Sequence, residues 1–386
     1  MKKLISVSFL LYIVLNCFSC GESTDDDHFD SKVILSKVGQ IELSLDSLTA
    51  NVVTSYFHLK TDSTDYFALL NIYTNSIYLY DLETSLLDRI ISYPEEGPNG
   101  VGKFTNVTEF VMDGDTTFFY DRTKKVLYVS GADKELLLKH PFGMMNPESP
   151  YGMWGDWISK TDRNIYNLSG AVVKYSFQDI PYGLDSLEFE LNLMTNEVKK
   201  SFLPIPIEYV NGSWLTESLR YYRVFDSGDR SFIYSWPISD SIFVKAPDNK
   251  ISSFYLGSDK VKQRVPLPQN KEKVLMDFQR KASFLYEQGS YANLYYSPEQ
   301  SLFMRFAYSG VKDGQVDANA PYADTTLYEK YIILGDENFN KVGEFRSNQY
   351  SPNAVLFREG YIYLLRNTDD EDHLVFDKFE LISNEN

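Results

Sequence analysis

The sequence predicts an all-β fold, a single β-propeller, from three observations. Short runs rich in Tyr, Phe, Ile and Val alternate as strands do, for example Ile77-Tyr78-Leu79-Tyr80. Turn-forming pairs divide these runs at intervals of about 50 to 65 residues, the length of a four-stranded propeller blade. Aromatic residues make up 15% and hydrophobic residues 43% of the 386-residue chain, a composition typical of a packed interior.

The first element, residues 1–19, predicts export. A short basic start precedes an apolar stretch that is too short to remain in a bilayer as a helix, which is typical of a signal peptide. It ends at Ser19-Cys20-Gly21, which resembles the bacterial lipobox, so we expect Cys20 to become a lipidated N-terminus. The alternative is ordinary cleavage near Ser19, with Cys20 incidental. Lipid on Cys20 would leave the folded domain without cysteine chemistry.

Residues 20–31 form the second element, a polar, acidic stretch that predicts a disordered tether. Its run Asp25-Asp26-Asp27 resembles the signal that directs Bacteroidetes lipoproteins to the outer face of the outer membrane; a solvated spacer is the alternative. The predicted location is therefore the outer membrane and the cell surface, with a periplasm-facing orientation still open. The net charge of −17 disfavours nucleic acid as a partner and makes the lipid the predicted membrane anchor.

The propeller domain is predicted over residues 32–386, because one strand-turn-strand unit recurs there. Six blades fit this length, and the last blade has room for only three strands, near 353–358, 360–366 and 373–382. Residues 33–45 can supply its fourth strand and close the ring. A seven-bladed count stays open because 257–327 is irregular, whereas two sandwiches would require a composition break near the middle. The copies of the unit lie at 73–90, 116–140, 186–203, 231–256, 293–310 with 328–345, and 354–381.

One helix is predicted at 270–288, between the fourth and fifth blades, where it would cover hydrophobic surface. Its apolar residues fall on one helical face: Val274, Leu275, Phe278, Ala282 and Leu285.

A glycine-rich loop, EEGPNGVGKF at 95–104, follows the first full blade. We expect Gly97, Gly100 and Gly102 to supply positive φ angles and close backbone approach in a blade-to-blade crossover. Together with the lipobox, YTNSIYLYD and SYANLYYSPEQSLFMRFAY, this loop resembles an uncharacterised family of Bacteroidetes lipoproteins classed as a domain of unknown function. That family is similar to six-bladed propeller lipoproteins. The resemblance implies a fold and a compartment and brings no catalytic residue.

Catalytic and metal-binding motifs are missing from the sequence. The four histidines, His28, His58, His140 and His373, do not pair at metal-ligand spacing, so we expect no metal and no cofactor. No serine-nucleophile motif appears. A pair of glycosidase carboxylates from different blades stays open, whereas the acidic run 369–372 is predicted to be a solvated turn rather than a calcium site.

The candidate ligand-binding residues are Tyr151, Trp154, Asp156 and Trp157, in a turn-rich loop at 144–158. Flat rings beside a carboxylate suit sugar or peptide recognition; packing of the tryptophans between blades is the alternative. A recurrent Asp-Ser/Thr triplet resembles an O-glycosylation signal of exported proteins in these bacteria, and a strand-capping turn explains it equally well. Its candidate acceptors are Ser47, Ser63, Thr116, Ser186, Ser241 and Thr325.

The sequence thus favours an envelope lipoprotein that acts as a binding or scaffold module for a glycan, a peptide or a partner protein. A carboxylate-dependent glycan hydrolase or lyase and a structural subunit of an envelope complex are the alternatives. The fold alone cannot choose among them, because propellers carry all three kinds of function.

Overall fold

The structure, a computed structural model, describes residues 31–384 apart from 52, 54, 62, 122, 125, 142–149, 152–157, 163–164, 170, 173–187, 202–203, 210–211, 216–217, 219–220, 270–273, 275 and 312–327. Within these residues the chain forms six four-stranded antiparallel sheets, and in five of them the strands are ordered as in the sequence. The predicted six-bladed propeller is confirmed, and the seven-bladed count is wrong. The described part of the irregular region adds a helix and the first strands of the fifth blade, not a further sheet.

The sheets are numbered as blades 1 to 6 in chain order. Blade 1 contains β2 (Tyr56–Lys60), β3 (Asp65–Asn71), β4 (Ser76–Asp81) and β5 (Leu87–Ser92). Blade 2 contains β6 (Val107–Asp113), β7 (Thr116–Asp121), β8 (Val126–Ser130) and β9 (Leu136–Pro141). Blade 3 contains β11 (Ile158–Asp162), β12 (Ile165–Ser169), β14 (Glu188–Asn192) and β15 (Glu197–Ser201). A separate two-stranded sheet joins β10 (Pro150–Tyr151) to β13 (Ala171–Val172).

Blades 4 to 6 complete the ring. Blade 4 contains β16 (Tyr222–Asp226), β17 (Ser231–Ser235), β18 (Ser241–Lys245) and β19 (Ile251–Tyr255). Blade 5 contains β20 (Ser290–Ser297), β21 (Leu302–Tyr308), β22 (Lys330–Gly335) and β23 (Lys341–Arg346). Blade 6 contains β24 (Tyr350–Arg358), β25 (Tyr361–Arg366), β26 (His373–Ser383) and β1 (Val33–Ser44).

Both faces of a blade are buried, which explains the alternating apolar runs. In β4, Ile77 and Leu79 pack in a cluster shared with Phe119 of blade 2. Tyr78 and Tyr80 pack in a second cluster, shared with blade 6. Successive side chains of a strand point to opposite faces, so one alternating run fills two inter-blade layers. The hydrophobic interior is accordingly a series of layers between neighbouring blades.

The ring is closed by the N-terminal strand, as predicted. The strand β1 pairs antiparallel with β26, with Ile41 opposite Phe376. An ion pair of 2.9 Å between Lys37 Nζ and Asp377 Oδ1 joins the same two strands. The last blade therefore takes three strands from the end of the chain and one from its beginning, which leaves β26 paired on both sides.

The glycine loop behaves as expected at the crossover from β5 to β6. Gly97 and Gly102 have φ angles of 93° and 83°, and a Cβ on Gly100 would lie 2.7 Å from backbone atoms of Glu96. Asn75, in the turn between β3 and β4, fastens this loop. Its Nδ2 donates to the carbonyl oxygen of Gly102 at 3.1 Å, and its Oδ1 accepts from a backbone N–H of the loop at 2.7 Å.

The predicted helix is present and is shorter than expected. Helix α1 spans Phe278–Tyr286, after blade 4 and before blade 5. It begins after Asp277, whose Oδ1 accepts from the backbone N of Arg280 at 3.2 Å, as an N-cap residue does. Of the predicted segment, residues 270–273 and 275 lie outside the described residues. A short 3-10 helix, Ile207–Tyr209, precedes blade 4.

Candidate functional site

The candidate site lies at the face of the ring where the first strand of each blade begins, which we call the upper face. First strands of neighbouring blades contact each other, β16 with β20 and β20 with β24, so they are the innermost strands. Because neighbouring strands are antiparallel, β21 and β25 end at the upper face, and β22 and β24 begin there.

A large bulge in β24 shapes the upper face. Tyr350 pairs with Arg366 and Val355 pairs with Leu364, so β24 advances by five residues while β25 advances by two. Pro352 lies inside the bulge, where its missing N–H removes a possible ladder hydrogen bond. Bulges redirect side chains and occur often beside functional sites. This one turns the start of an innermost strand away from regular pairing.

The bulge forms one wall of a cavity of about 650 Å³ between blades 5 and 6. That volume falls within the range of small-ligand sites, roughly 300–1,000 Å³. The described lining offers amide, hydroxyl, phenol and ammonium groups and no carboxylate. Its residues are Tyr308, Lys330, Asn348, Ser351, Pro352, Asn353 and Asn367.

Lys330, the first residue of β22, supplies the positive charge of the cavity. Its half-buried side chain donates a long hydrogen bond, 3.4 Å from Nζ to the carbonyl oxygen of Tyr350. Within the described part of the chain no carboxylate forms an ion pair with Lys330. The adjacent Glu329 is engaged elsewhere, with its Oε1 2.7 Å from Arg346. Burial lowers the pKa of Lys330, because the ammonium group loses hydration.

Three exposed asparagines line the cavity, and two of them have side-chain donors without a described partner. Asn348 Oδ1 accepts from the backbone N of Lys330 at 2.7 Å, and Asn367 Nδ2 donates to the carbonyl oxygen of Asn348 at 3.2 Å. The backbone N of Asn353 donates to Ser351 Oγ at 3.2 Å. Neither Asn348 Nδ2 nor the exposed side chain of Asn353 has a hydrogen bond to any described residue, so their amides are available to a ligand.

Tyrosines form the apolar side of the site. Tyr308 lines the cavity, and its ring meets Tyr328 edge to face, with centroids 5.2 Å apart and planes at 84°. Tyr328 in turn stacks on Tyr286 at the end of α1, with centroids 6.4 Å apart. Burial raises the pKa of Tyr308 and of Tyr328, so both phenols are neutral near pH 7.

The cation of the neighbouring strand has a different environment. Arg305, in β21, is fully buried, and its guanidinium carbon lies 3.7 Å from the ring centroid of Tyr291. Its Nε donates to Ser235 Oγ at 2.9 Å. The two terminal nitrogens donate over 2.6–3.3 Å to the carbonyl oxygens of Trp236, Ser239, Asp240 and Leu256. Arg305 thus links blade 5 to three parts of blade 4: the end of β17, the β17–β18 turn and the residue after β19.

A second buried ionic group joins blades 3 and 4. Glu188 accepts from Arg223 at 2.8 Å, from Lys245 at 2.8 Å and from the hydroxyl of Tyr234 at 2.9 Å. All four side chains are buried. This group holds blades 3 and 4 together, because its buried polar side chains form hydrogen bonds with one another.

Of the four ligand-binding residues chosen from the sequence, the structure describes only one. Tyr151 lies in β10 and pairs with Ala171, whereas Trp154, Asp156 and Trp157 lie outside the described residues. The ligand-binding assignment at that loop stays a prediction, as does lipidation of Cys20. The cavity residues were missed, although Pro352 within a strand-like run is a signal that could have indicated a bulge.

The Asp-Ser/Thr triplets occupy varied positions. Ser47 and Ser63 are exposed, and Thr116 and Ser241 are half-buried at the starts of β7 and β18; Ser186 and Thr325 lie outside the described residues. Asp46 Oδ1 accepts from the backbone N of Leu48 at 3.0 Å, as a turn-capping side chain does. Glycosylation at these positions stays a prediction.

Two kinds of feature are absent from the described residues. No group of three or more His, Cys, Asp or Glu side chains there could hold a metal ion. None of the helices among them is long and apolar enough to cross a membrane.

A six-bladed β-propeller with a ligand-sized cavity at its upper face is the class of protein that these observations define. Residues 32–346 match the family described as Domain of unknown function (DUF4221), and the chain belongs to that family. No curated protein matches its sequence.

Solved structures share this fold. A DUF4221 family member from Bacteroides vulgatus is 17% identical, with a TM-score of 0.79 over 92% of this chain and 100% of that one. A protein from Bacteroides fragilis, described provisionally as exported, is 12% identical, with a TM-score of 0.52 over 93% and 98%. Virginiamycin B lyase from Staphylococcus aureus is only distantly similar, 12% identical, with a TM-score of 0.42 over 91% of this chain and 100% of that one.

Proposed function

We propose that this protein is an envelope lipoprotein whose propeller recognises a polar segment of a glycan, a peptide or a partner protein in the cavity between blades 5 and 6. The observation that carries this proposal is the cavity itself. It has the volume of a ligand site and free hydrogen-bond donors, and tyrosine rings form one side. Such a lining fixes the orientation of a ligand through a few polar groups beside apolar surface.

The alternatives gain less support. A carboxylate-dependent hydrolase or lyase requires a pair of carboxyl groups at the cavity, and the described lining contributes no carboxyl group. A structural subunit would need no ligand-sized cavity. Recognition is therefore the function that fits the lining best.

Affinity capture from native membranes tests this proposal. Asn353→Trp fills the cavity from an exposed position whose side chain makes no hydrogen bond to described residues, so folding should be preserved. Asn338→Trp is the matched control, in the exposed turn between β22 and β23 on the opposite face. We expect Asn353→Trp to lose the captured ligand and Asn338→Trp to keep it. Capture that survives Asn353→Trp would place recognition elsewhere.

The envelope location rests on the N-terminal sequence. The protein is proposed to be anchored through lipid on Cys20, with the acidic tether directing it to the cell surface. Cys20→Ala should shift the protein from the membrane fraction to the soluble fraction, because an acidic domain without lipid has little affinity for bilayers. Protease digestion of intact cells distinguishes surface exposure from a periplasm-facing orientation. Unchanged fractionation of Cys20→Ala would refute the anchor.

A further inference from the structure

Resting on the proposed recognition function, we infer that the ligand is an acidic sugar residue whose carboxylate pairs with Lys330. The charge of Lys330 is the first reason. Its ammonium group lines the cavity, has one long hydrogen bond and forms no ion pair with any described residue. A half-buried cation without an anion keeps a desolvation cost that a ligand carboxylate would offset.

The arrangement of donors is the second reason. A carboxylate offers acceptor positions on both oxygens and accepts from several donors at once. Besides Lys330, the free amides of Asn348 and Asn353 border the same cavity. Among the described residues, the adjacent Glu329 does not compete for Lys330, because its carboxylate lies 2.7 Å from Arg346.

The rest of the lining favours a sugar. Tyr308 and Pro352 present ring surfaces on which the apolar face of a pyranose can stack. Ser351 and the asparagine amides both donate and accept, which suits ring hydroxyls. A cavity of about 650 Å³ admits one or two sugar units.

The net charge of −17 requires the recognition to be local. A chain with this net charge repels anions as they approach, over a distance that salt screening limits to about 10 Å. An anionic sugar is therefore selected by contact with Lys330 inside the cavity and not by attraction toward the whole surface. A neutral sugar would leave the ammonium group unpaired, which is the basis of the selectivity.

Isothermal titration with methyl β-D-glucuronide and methyl β-D-glucoside tests the inference, because the two probes differ only at the carboxylate. The wild-type protein should bind the glucuronide at least tenfold more tightly. Lys330→Met should remove this preference, and Lys330→Arg should keep it because the charge is retained. Lys134→Met, in an exposed turn of blade 2, is the matched control and should behave as wild type.

Each other outcome overturns the inference. Equal affinity for the two sugars, binding of neither, or a preference that survives Lys330→Met would refute a carboxylate at Lys330. Binding of an acetylated dipeptide with a free C-terminus, with no binding of the glucuronide, would assign the site to peptides instead. Capture from membranes that is lost in Asn353→Trp and kept in Lys330→Met would preserve the recognition function while refuting the acidic ligand.

Discussion

Blade 5 carries two cations on adjacent strands, and they are used in opposite ways. Arg305 in β21 is fully buried, and its donors reach four carbonyl oxygens and one hydroxyl of blade 4. Lys330 in β22 borders a cavity and makes one long hydrogen bond. A cation whose donors are all satisfied by the protein serves the fold, whereas a cation left partly unsatisfied beside a cavity can serve a ligand.

Burial disfavours the charge of both residues, and the surroundings differ. Desolvation lowers the pKa of Arg305 to about 10, and the nearby Tyr291 and Asp240 act in the opposite direction. Burial alone lowers the pKa of Lys330. Arg305 therefore remains charged near pH 7 inside a polar shell made by the chain. Within its described residues, the chain gives Lys330 only one long hydrogen bond, so a ligand in the cavity could supply the remaining polar partners.

The largest expected effect is a difference in folding stability between variants of Arg305 and Lys330. Arg305→Met should lower the free energy of unfolding by at least about 3 kcal/mol, because several buried carbonyl oxygens lose their donors together. Lys330→Met makes the same chemical change at the cavity and should stay within about 0.5 kcal/mol of the parent. Urea denaturation of both variants measures the difference. Similar losses in the two would abolish the distinction drawn between them.

The tyrosine beside each cation should show the same contrast at a smaller size. The hydroxyl of Tyr291 donates to Asp240 and accepts from the backbone N of Ser258 at 3.0 Å. Tyr291→Phe should therefore cost about 1 to 2 kcal/mol. The hydroxyl of Tyr308 has no hydrogen bond to any described residue, so Tyr308→Phe should change the unfolding midpoint little. A larger loss in Tyr308→Phe would mean that the cavity wall is structural.

Giving Lys330 an anion of its own should make it resemble Arg305. Asn348→Asp keeps the acceptor for the backbone N of Lys330 and adds a negative charge to the cavity. Affinity for methyl β-D-glucuronide should fall about tenfold, which corresponds to about 1.4 kcal/mol. Asn338→Asp adds the same charge on the opposite face and should leave the affinity unchanged. An equal loss in both variants would indicate long-range repulsion instead of a local pair.

The smallest effect is a pH dependence of stability. Lys330 has a lowered pKa in the folded state, so below that pKa its charge opposes folding. As the pH rises from the folded pKa toward the unfolded value of about 10.4, the folded protein releases the proton first and stability increases. As the pH is raised toward about 10.4, the melting temperature of wild type should therefore rise relative to that of Lys330→Met. Parallel curves would show that Lys330 is fully hydrated.

Much of the fold could be predicted because it depends on local sequence patterns, the alternation of strands and the spacing of turns. The turn pairs Glu83-Thr84, Ala132-Asp133, Thr195-Asn196 and Asp248-Asn249 all fall between the third and fourth strands of their blades, which is why their spacing gave the blade length. The C-terminal unit had too few strands, so the ring had to be closed by β1. Among the strands of blade 6, the largest difference from the predicted bounds is at the start of β24, which is Tyr350 instead of 353, because a bulge hides a strand from a period-two pattern.

The sequence by itself determined the all-β class, the blade unit and the closure of the ring, because alternation, turn chemistry and strand number depend on neighbouring residues. The tertiary structure alone decided the cavity. Its residues lie in three strands and two loops of blades 5 and 6, and they meet because antiparallel strands return to the same face. Nothing local distinguishes Lys330 from other lysines of the chain. Its environment is set by a bulge in another blade and by the direction in which Glu329 is held.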